Sequence, residues 1–367
     1  MNRLEDRLTS TVDGASPTER FRGAAASVIL GFGLAWLAMA LVGCGPSSTP
    51  SGSTADAPKA GGKLVIGVVP KGTTHVFWKS IHAGALKAAA ELGNVEVLWK
   101  SGLKEDDRDS QIKVVEDLVI RGVDGLVLAA LDDVALRAPV HDAVRKGIPV
   151  VIMDSDLKSD QHVSFVATDN YQGGVKAGEL LAKLLNGKGR VVMLRYMEGS
   201  ASTMGREQGF LDAVKKHPGL ELLVSNRYAG ATAEEAYKSS ENMLAPYRKA
   251  DGSLGVDGIF ACNESTTFGM LRALQDSGWA GKVRFVGFDS SALLVKALES
   301  GELNGLILQD PLNMGYLGVK TMAAHLRGEK VERRIDTGST VVTAQNMNDP
   351  AKRQLLEPDY KQWLKED

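Results

Sequence analysis

From Lys63 onward, short apolar runs rich in β-branched residues alternate with longer amphipathic stretches. The runs are KLVIGVVP, VEVLWKS, DGLVLAA, PVVIMDS, VSFVATD, RVVMLRY, LELLVSN, DGIFACN, VRFVGFD, LNGLILQD and STVVTAQ. Their length and composition predict strands, and the segments between them, such as 109–121, 133–146, 171–185, 205–216, 233–244 and 266–276, predict helices. Continuously apolar strands separated by helices belong to a parallel sheet covered on both faces. Eleven such runs exceed one comfortable sheet of that kind, so two doubly wound α/β lobes are expected.

The ends of the runs are polar. They finish at Asp154, Asp169, Asn263, Asp289 and the pair Gln309–Asp310. In open α/β sheets, ligands bind outside the carboxyl ends of the strands. Each residue taken alone could be a helix N-cap, and Asp169 and Asp310 are read that way or as interdomain residues. Recurrence in both halves of the chain points to a shared polar site between the lobes. A second oddity lies at Phe77 and Trp78, just after the first apolar run. Adjacent helical positions point about 100° apart, so one core-facing stripe does not easily take both rings. At least one is expected to face the cleft.

The N-terminal part follows a different pattern. After Arg20 and Arg22, residues 23–43 are free of charge and strongly apolar, the layout of a secretion signal or a single membrane span. The run ends in LVGC, residues 41–44, followed by a stretch rich in Ser, Thr, Pro and Gly. This resembles the lipobox of bacterial lipoproteins, which implies removal of residues 1–43 and lipidation of Cys44; an uncleaved anchor is the alternative. Residues 44–62 then form a flexible linker reaching on the order of 20–25 Å. With Cys44 lipidated, Cys262 has no intramolecular partner, so the fold must rest on its core. About three hundred residues suffice for that, since a chain of such size buries roughly three quarters of its unfolded surface.

Composition narrows the function classes. The chain is 44% apolar and 24% charged, with a formal net charge of -2 and no basic block, so nucleic-acid binding has no support. No GxGxxG follows a strand, no Walker loop is present, and the six histidines form no HExxH or Cys/His cluster. No cofactor or metal is therefore expected, and without a nucleophile elbow an enzyme is disfavoured. The residues that are present suit a polyhydroxylated ligand. Carboxylates accept from hydroxyls and amides serve both directions, which describes Asp154, Asn263, Asp289 and Gln309. Flat aromatic surfaces pack on the C–H face of a sugar ring, which describes Phe77 and Trp78.

From about Lys63 to Gln345 the chain resembles the ribose-type periplasmic sugar-binding proteins, the solute receptors of ATP-driven importers. The resemblance is carried by VVPKGTTHVFWKSIHAGA, IPVVIMDSD, VATDNYQGGVKAGELLA, GREQGF, FACNESTTFGMLRAL, VGFDSS and LQDPLNMGYLGV, in the family's order. It implies a monomer of two lobes joined by three crossovers, near Asp169, Gln309 and Gly338, that closes like a hinged trap on one sugar or polyol and delivers it to a membrane permease. The first lobe is then 63–168 plus 310–338, and the second 169–309 plus 339–367. The family's ligand positions fall on His75, Phe77, Trp78, Asp154, Asn263, Asp289 and Gln309. Two family arginines are replaced, by Ser155 and Met204, neither of which reproduces a guanidinium fork; ribose itself loses support, and a neutral sugar or polyol remains. Arg206 is read as a helix-face residue, with Arg195 or Arg206 as alternative cations, and Tyr228 as a wall or rim of the pocket. A sugar-sensing receptor is the rival reading. The lac-repressor-type regulators share the fold but carry a helix-turn-helix where this chain has an apolar segment and a linker.

Overall fold

The computed structural model describes residues 62–102 and 104–364; Cys44 and the apolar segment before it lie outside the described residues. The first half runs β1 (Leu64–Val69), α1 (Val76–Leu92), β2 (Val95–Trp99), α2 (Arg108–Ile120), β3 (Gly125–Leu128), α3 (Arg137–Arg145), β4 (Val150–Met153) and β5 (Ser164–Ala167). After α4 (Asn170–Leu184) the motif repeats as β6 (Lys188–Arg195), α5 (Ala201–Lys215), β7 (Gly219–Tyr228), α6 (Ala233–Leu244), β8 (Gly258–Ala261), α7 (Glu264–Asp276), β9 (Arg284–Phe288), α8 (Ala292–Ser300) and β10 (Gly305–Leu308). The chain ends with α9 (Pro311–Leu326), β11 (Arg334–Asp336), β12 (Thr340–Val342), α10 (Pro350–Leu356) and α11 (Lys361–Leu364).

Two six-stranded sheets result, ordered β11-β5-β4-β3-β1-β2 and β12-β10-β9-β8-β6-β7. All pairings are parallel except β12 on β10. The two orders correspond strand for strand, so β4 of the first lobe is matched by β9 of the second. β3, β4, β8 and β10 are buried at every position, as expected of strands covered on both faces. β11, three residues long and exposed at both ends, is the strand that hydrophobic pattern does not predict.

The chain passes between the sheets after β5, after β10 and between β11 and β12. The first and third passages are tied together: Thr168 Oγ1 donates to the Gly338 carbonyl at 2.9 Å, and the amides of Asp169 and Gly338 both donate to Asp336 Oδ1. The second passage sends α9 back to pack on α1 in the first lobe, as α4 packs on α5 in the second. Both helix pairs cross at glycine. A Cβ on Gly84 would lie 1.8 Å from the Leu312 carbonyl oxygen, and one on Gly174 would lie 1.9 Å from that of Arg206. The C-terminal segment departs from the expected assignment to the second lobe. Leu356 joins that lobe's core, but α11 packs on α1 of the first.

Candidate ligand site between the lobes

The carboxyl ends of both sheets face one cavity. From the first lobe it is lined by Lys71 after β1, by His75, Phe77 and Trp78 at the start of α1, by Glu105, and by Asp154 after β4. The second lobe contributes Tyr196 after β6, Ser200, Ser202, Thr203 and Arg206 around the start of α5, Asn263 and Glu264 after β8, and Asp289 after β9. Gln309, on the second passage, completes it.

Asp154 and Asp289 end equivalent strands, and both adopt left-handed backbone, with φ of 58° and 66°. Such φ values are uncommon outside glycine and cluster where a side chain must be aimed at a site. Each carboxylate has a buried cation beside it, Lys71 Nζ at 3.7 Å from Asp154 and Arg206 Nη1 at 3.8 Å from Asp289. Both distances exceed a hydrogen bond, so these carboxylates keep acceptor capacity. Burial raises the pKa of Asp154 and Asp289, against the pull of those cations, and burial also lowers that of Lys71. Gln309 donates Nε2 to Asp289 Oδ1 at 2.7 Å, while its own buried Oε1 has no partner.

Glu105 is organised differently. It accepts from Trp78 Nε1 at 2.6 Å and from Tyr196 Oη at 2.7 Å, and it pairs with His75 Nδ1 at 2.9 Å. Burial would raise its pKa, but His75 and these donors hold it below the ordinary value. His75 in turn sits at about 9, because Glu105 overcomes the opposing effect of burial. Glu264 accepts the backbone amides of Val76 and Phe77 at 3.3 and 3.1 Å, placing a carboxylate on the N-terminus of α1, where four backbone amides lack helical partners.

Several of these bonds join one lobe to the other. Glu264 to α1, Tyr196 to Glu105 and Lys71 Nζ to Ser200 Oγ at 3.0 Å all cross the cleft, and at its rim the Asp133 amide donates to the Gly199 carbonyl at 2.9 Å. The cleft is closed. About 30 Å³ of free space remains between the lining side chains.

Of the sequence-predicted residues, His75, Phe77, Trp78, Asp154, Asn263, Asp289 and Gln309 line the cavity, and Ser155 and Met204 do not. Ser155 is fully buried beside it, its Oγ accepting the Ser202 amide across the cleft. Met204 is half-buried on α5, outside the lining. Arg206, expected on a helix face, is 2% exposed; it donates to Asn170 Oδ1 and the Cys262 carbonyl and lies over the Phe288 ring. Tyr228 is exposed, with the Arg195 guanidinium near its ring, and forms no wall. Phe77 and Trp78 both line the cavity, are both buried in the closed cleft and meet edge to face, 4.9 Å between centroids. Asp169 and Asp310 cap α4 and α9, and Asn263 caps α7 while also lining the cavity. Lys71, Glu105, Tyr196 and Glu264 were not foreseen. Lys71 directly follows a buried strand and its proline, a signal that could have marked it.

Two lobes with corresponding strand orders, three passages between them and one polar cavity at the shared strand ends define a hinged binding protein. Residues 66–330 match the model of the periplasmic binding protein domain family, and the chain belongs to that family. It is 34% identical over 267 residues to the ribose import binding protein of Haemophilus influenzae, covering 73% of this chain and 87% of that protein. Among solved structures, a carbohydrate transporter solute-binding protein from Agrobacterium radiobacter in complex with D-arabinose is 34% identical, with a TM-score of 0.76 over 80% of this chain and 99% of that one. An ABC transporter solute-binding protein from Agrobacterium vitis with bound D-fucose is 32% identical, with a TM-score of 0.76 over 80% and 100%.

Proposed function

We propose that this chain is the solute-binding component of an ABC-type sugar importer, closing its lobes on a neutral sugar or cyclic polyol and presenting the closed form to a membrane permease. The observation that carries this reading is the pair of carboxylates at equivalent strand ends, Asp154 and Asp289, each buried with open acceptor capacity and a cation alongside. A carboxylate accepts a hydroxyl proton while the neighbouring cation donates to the adjacent oxygen, so each lobe is equipped to hold one edge of a polyol. The Phe77 and Trp78 rings offer apolar surface beside them. Lys71, His75 and Arg206 face Glu105, Asp154, Glu264 and Asp289, and Glu264 sits at about 7, so the cavity's charges nearly balance without a charged ligand.

A ligand touching both lobes binds the closed state better than the open one and shifts the hinge toward closure. The LVGC sequence supports an extracytoplasmic position, with Cys44 lipidated and residues 45–62 as the tether. No helix among the described residues is long and apolar enough to cross a membrane. Mass spectrometry of small molecules released from the protein purified under native conditions tests the reading. A neutral pentose, hexose or cyclitol is the expected species, and recovery of only charged or aromatic ligands would overturn it.

A further inference from the structure

The C-terminal segment touches both lobes. Asp349 caps α10, and Leu356 at the end of that helix is buried in the core of the second lobe, where Ser290 Oγ donates to its carbonyl at 2.9 Å. The chain then turns, the Tyr360 amide donating to the Pro358 carbonyl at 2.9 Å, and α11 lies on α1 of the first lobe. On the way it runs beside the second passage between the sheets and behind the ligand site. Leu355 and Pro358 enclose a space of about 20 Å³ together with Phe77, Asp289 and Gln309, three residues that also line the ligand cavity.

We propose that residues 357–364 are a strap across the hinge side of the cleft, restraining the parting of the lobes and so raising the share of closed protein. Three features carry it. The segment is a further covalent link between the lobes, added to the three passages that join the sheets, and it ends on a helix of the first lobe instead of extending either sheet. Its reach is short. From Leu356, fixed in one lobe, to Lys361, where α11 begins on the other, five residue steps span at most about 18 Å. Opening beyond that reach requires α11 to leave α1. The third feature is the modest hold of α11 itself, a helix of four residues, too short to persist without packing. A cavity of about 450 Å³, lined among others by Lys87 of α1, Leu312 of α9, Leu355 and Trp363, separates part of it from the helices beneath. Such a contact can be made and broken, which suits a restraint on the hinge and not a lock.

The test compares wild type with two variants. One is a chain ending at Glu357, which keeps Leu356 in its core; the other carries a Gly/Ser insertion of about eight residues between Glu357 and Pro358, which keeps α11 but lengthens its tether by on the order of 15 Å. X-ray scattering without ligand should give both variants a larger radius of gyration than wild type. Calorimetry with D-ribose, D-arabinose, D-allose, D-fucose and myo-inositol should show that whichever of them binds wild type is bound about three- to tenfold more weakly by both variants, with melting temperatures within a few degrees of wild type. If the shortened chain does not fold, the insertion alone decides. A wild-type radius in both variants makes α11 a surface helix without effect on the hinge, and the inference fails while the sugar reading stands. A change confined to the shortened chain would mean that α11 packs without tethering and would overturn the inference as well. If wild type binds none of the sugars, the sugar reading fails separately and the radii alone decide this one.

Discussion

Glu264 Oε2 lies 3.1 Å from the backbone nitrogen of Phe77, joining the first turn of α7 in one lobe to the first turn of α1 in the other. The bond is charge-assisted and exists only while the lobes are closed. Removing it should shift the hinge toward the open form without disturbing either core. Glu264→Ala is expected to weaken polyol binding by about tenfold and to enlarge the radius of gyration measured by X-ray scattering in the presence of ligand. Wild-type affinity and an unchanged radius would mean that the contact holds nothing shut.

Asp289 accepts the Glu264 amide and Gln309 Nε2 and faces Arg206, so it organises the second lobe's half of the site. Its φ of 66° makes alanine a poor probe, because that substitution adds backbone strain to the loss of the carboxylate. Asn tolerates the left-handed region and keeps the volume. Asp289→Asn should reduce binding by a hundredfold or more, at about 1.5–3 kcal/mol for a charged hydrogen bond and with two ligand bonds at stake, while the melting temperature stays within a few degrees. Retained affinity would remove Asp289 from the site.

Trp78 belongs to the core of the first lobe as well as to the cavity wall. Trp78→Ala is therefore expected to cost about 3–5 kcal/mol of stability together with binding, and it does not separate the two roles. Trp78→Phe retains a ring but removes the Nε1 donor from Glu105. It should keep most of the stability and still weaken binding. Denaturant titration of both variants checks this, and an alanine variant as stable as wild type would contradict the core role.

Much of this was legible in the chain because burial on both faces writes a strand as an unbroken apolar run, and the residue that ends the run is then easy to find. Asp154, Asn263, Asp289 and Gln309 were found in that way. Arg206 was misread because a charged residue inside an amphipathic helix looks like a solvated one; its burial follows from the close α4–α5 crossing at Gly174, a tertiary fact. Glu105 sits in the acidic stretch KEDD, which reads as a surface loop, and only the fold brings Tyr196 to it. The pairing of Phe77 with Trp78 shows the limit of a single-stripe argument. α1 is buried against the sheet, α9 and the opposite lobe at once, so more than one of its faces is covered.

The buried site makes stability depend on pH in a stated direction. His75, held at about 9 against an ordinary 6.5, binds its proton more tightly in the folded state, so its contribution is complete below about 6.5 and lost as pH rises through 9. Burial holds Glu264 at about 7 and Glu207 at about 6, above the ordinary 4.5, so the folded state is again the more protonated and stability falls as pH rises from 4.5 toward 7. These three groups each make the melting temperature fall between about pH 5 and about pH 9, against His162 and Lys71, whose pKa burial lowers and which act in the opposite sense. His75→Gln should flatten the part above 6.5. A wild-type pH profile in that variant would contradict the assignment.

Cys44 carries the proposed anchor. In cells fed a palmitate analogue, the wild-type chain should be labelled and shortened by removal of residues 1–43, while Cys44→Ser should be unlabelled and keep its apolar leader. Labelling that persists in the serine variant would place the lipid elsewhere or remove it from the account.

Titration calorimetry of the chain from residue 62 onward, against neutral pentoses, hexoses, 6-deoxyhexoses and cyclitols, with uronic acids and amino sugars as charged controls, tests the central claim most directly. Binding of at least one neutral member, abolished by Asp289→Asn, is the predicted result. Heat from the charged controls alone, or from none of the compounds, would contradict it.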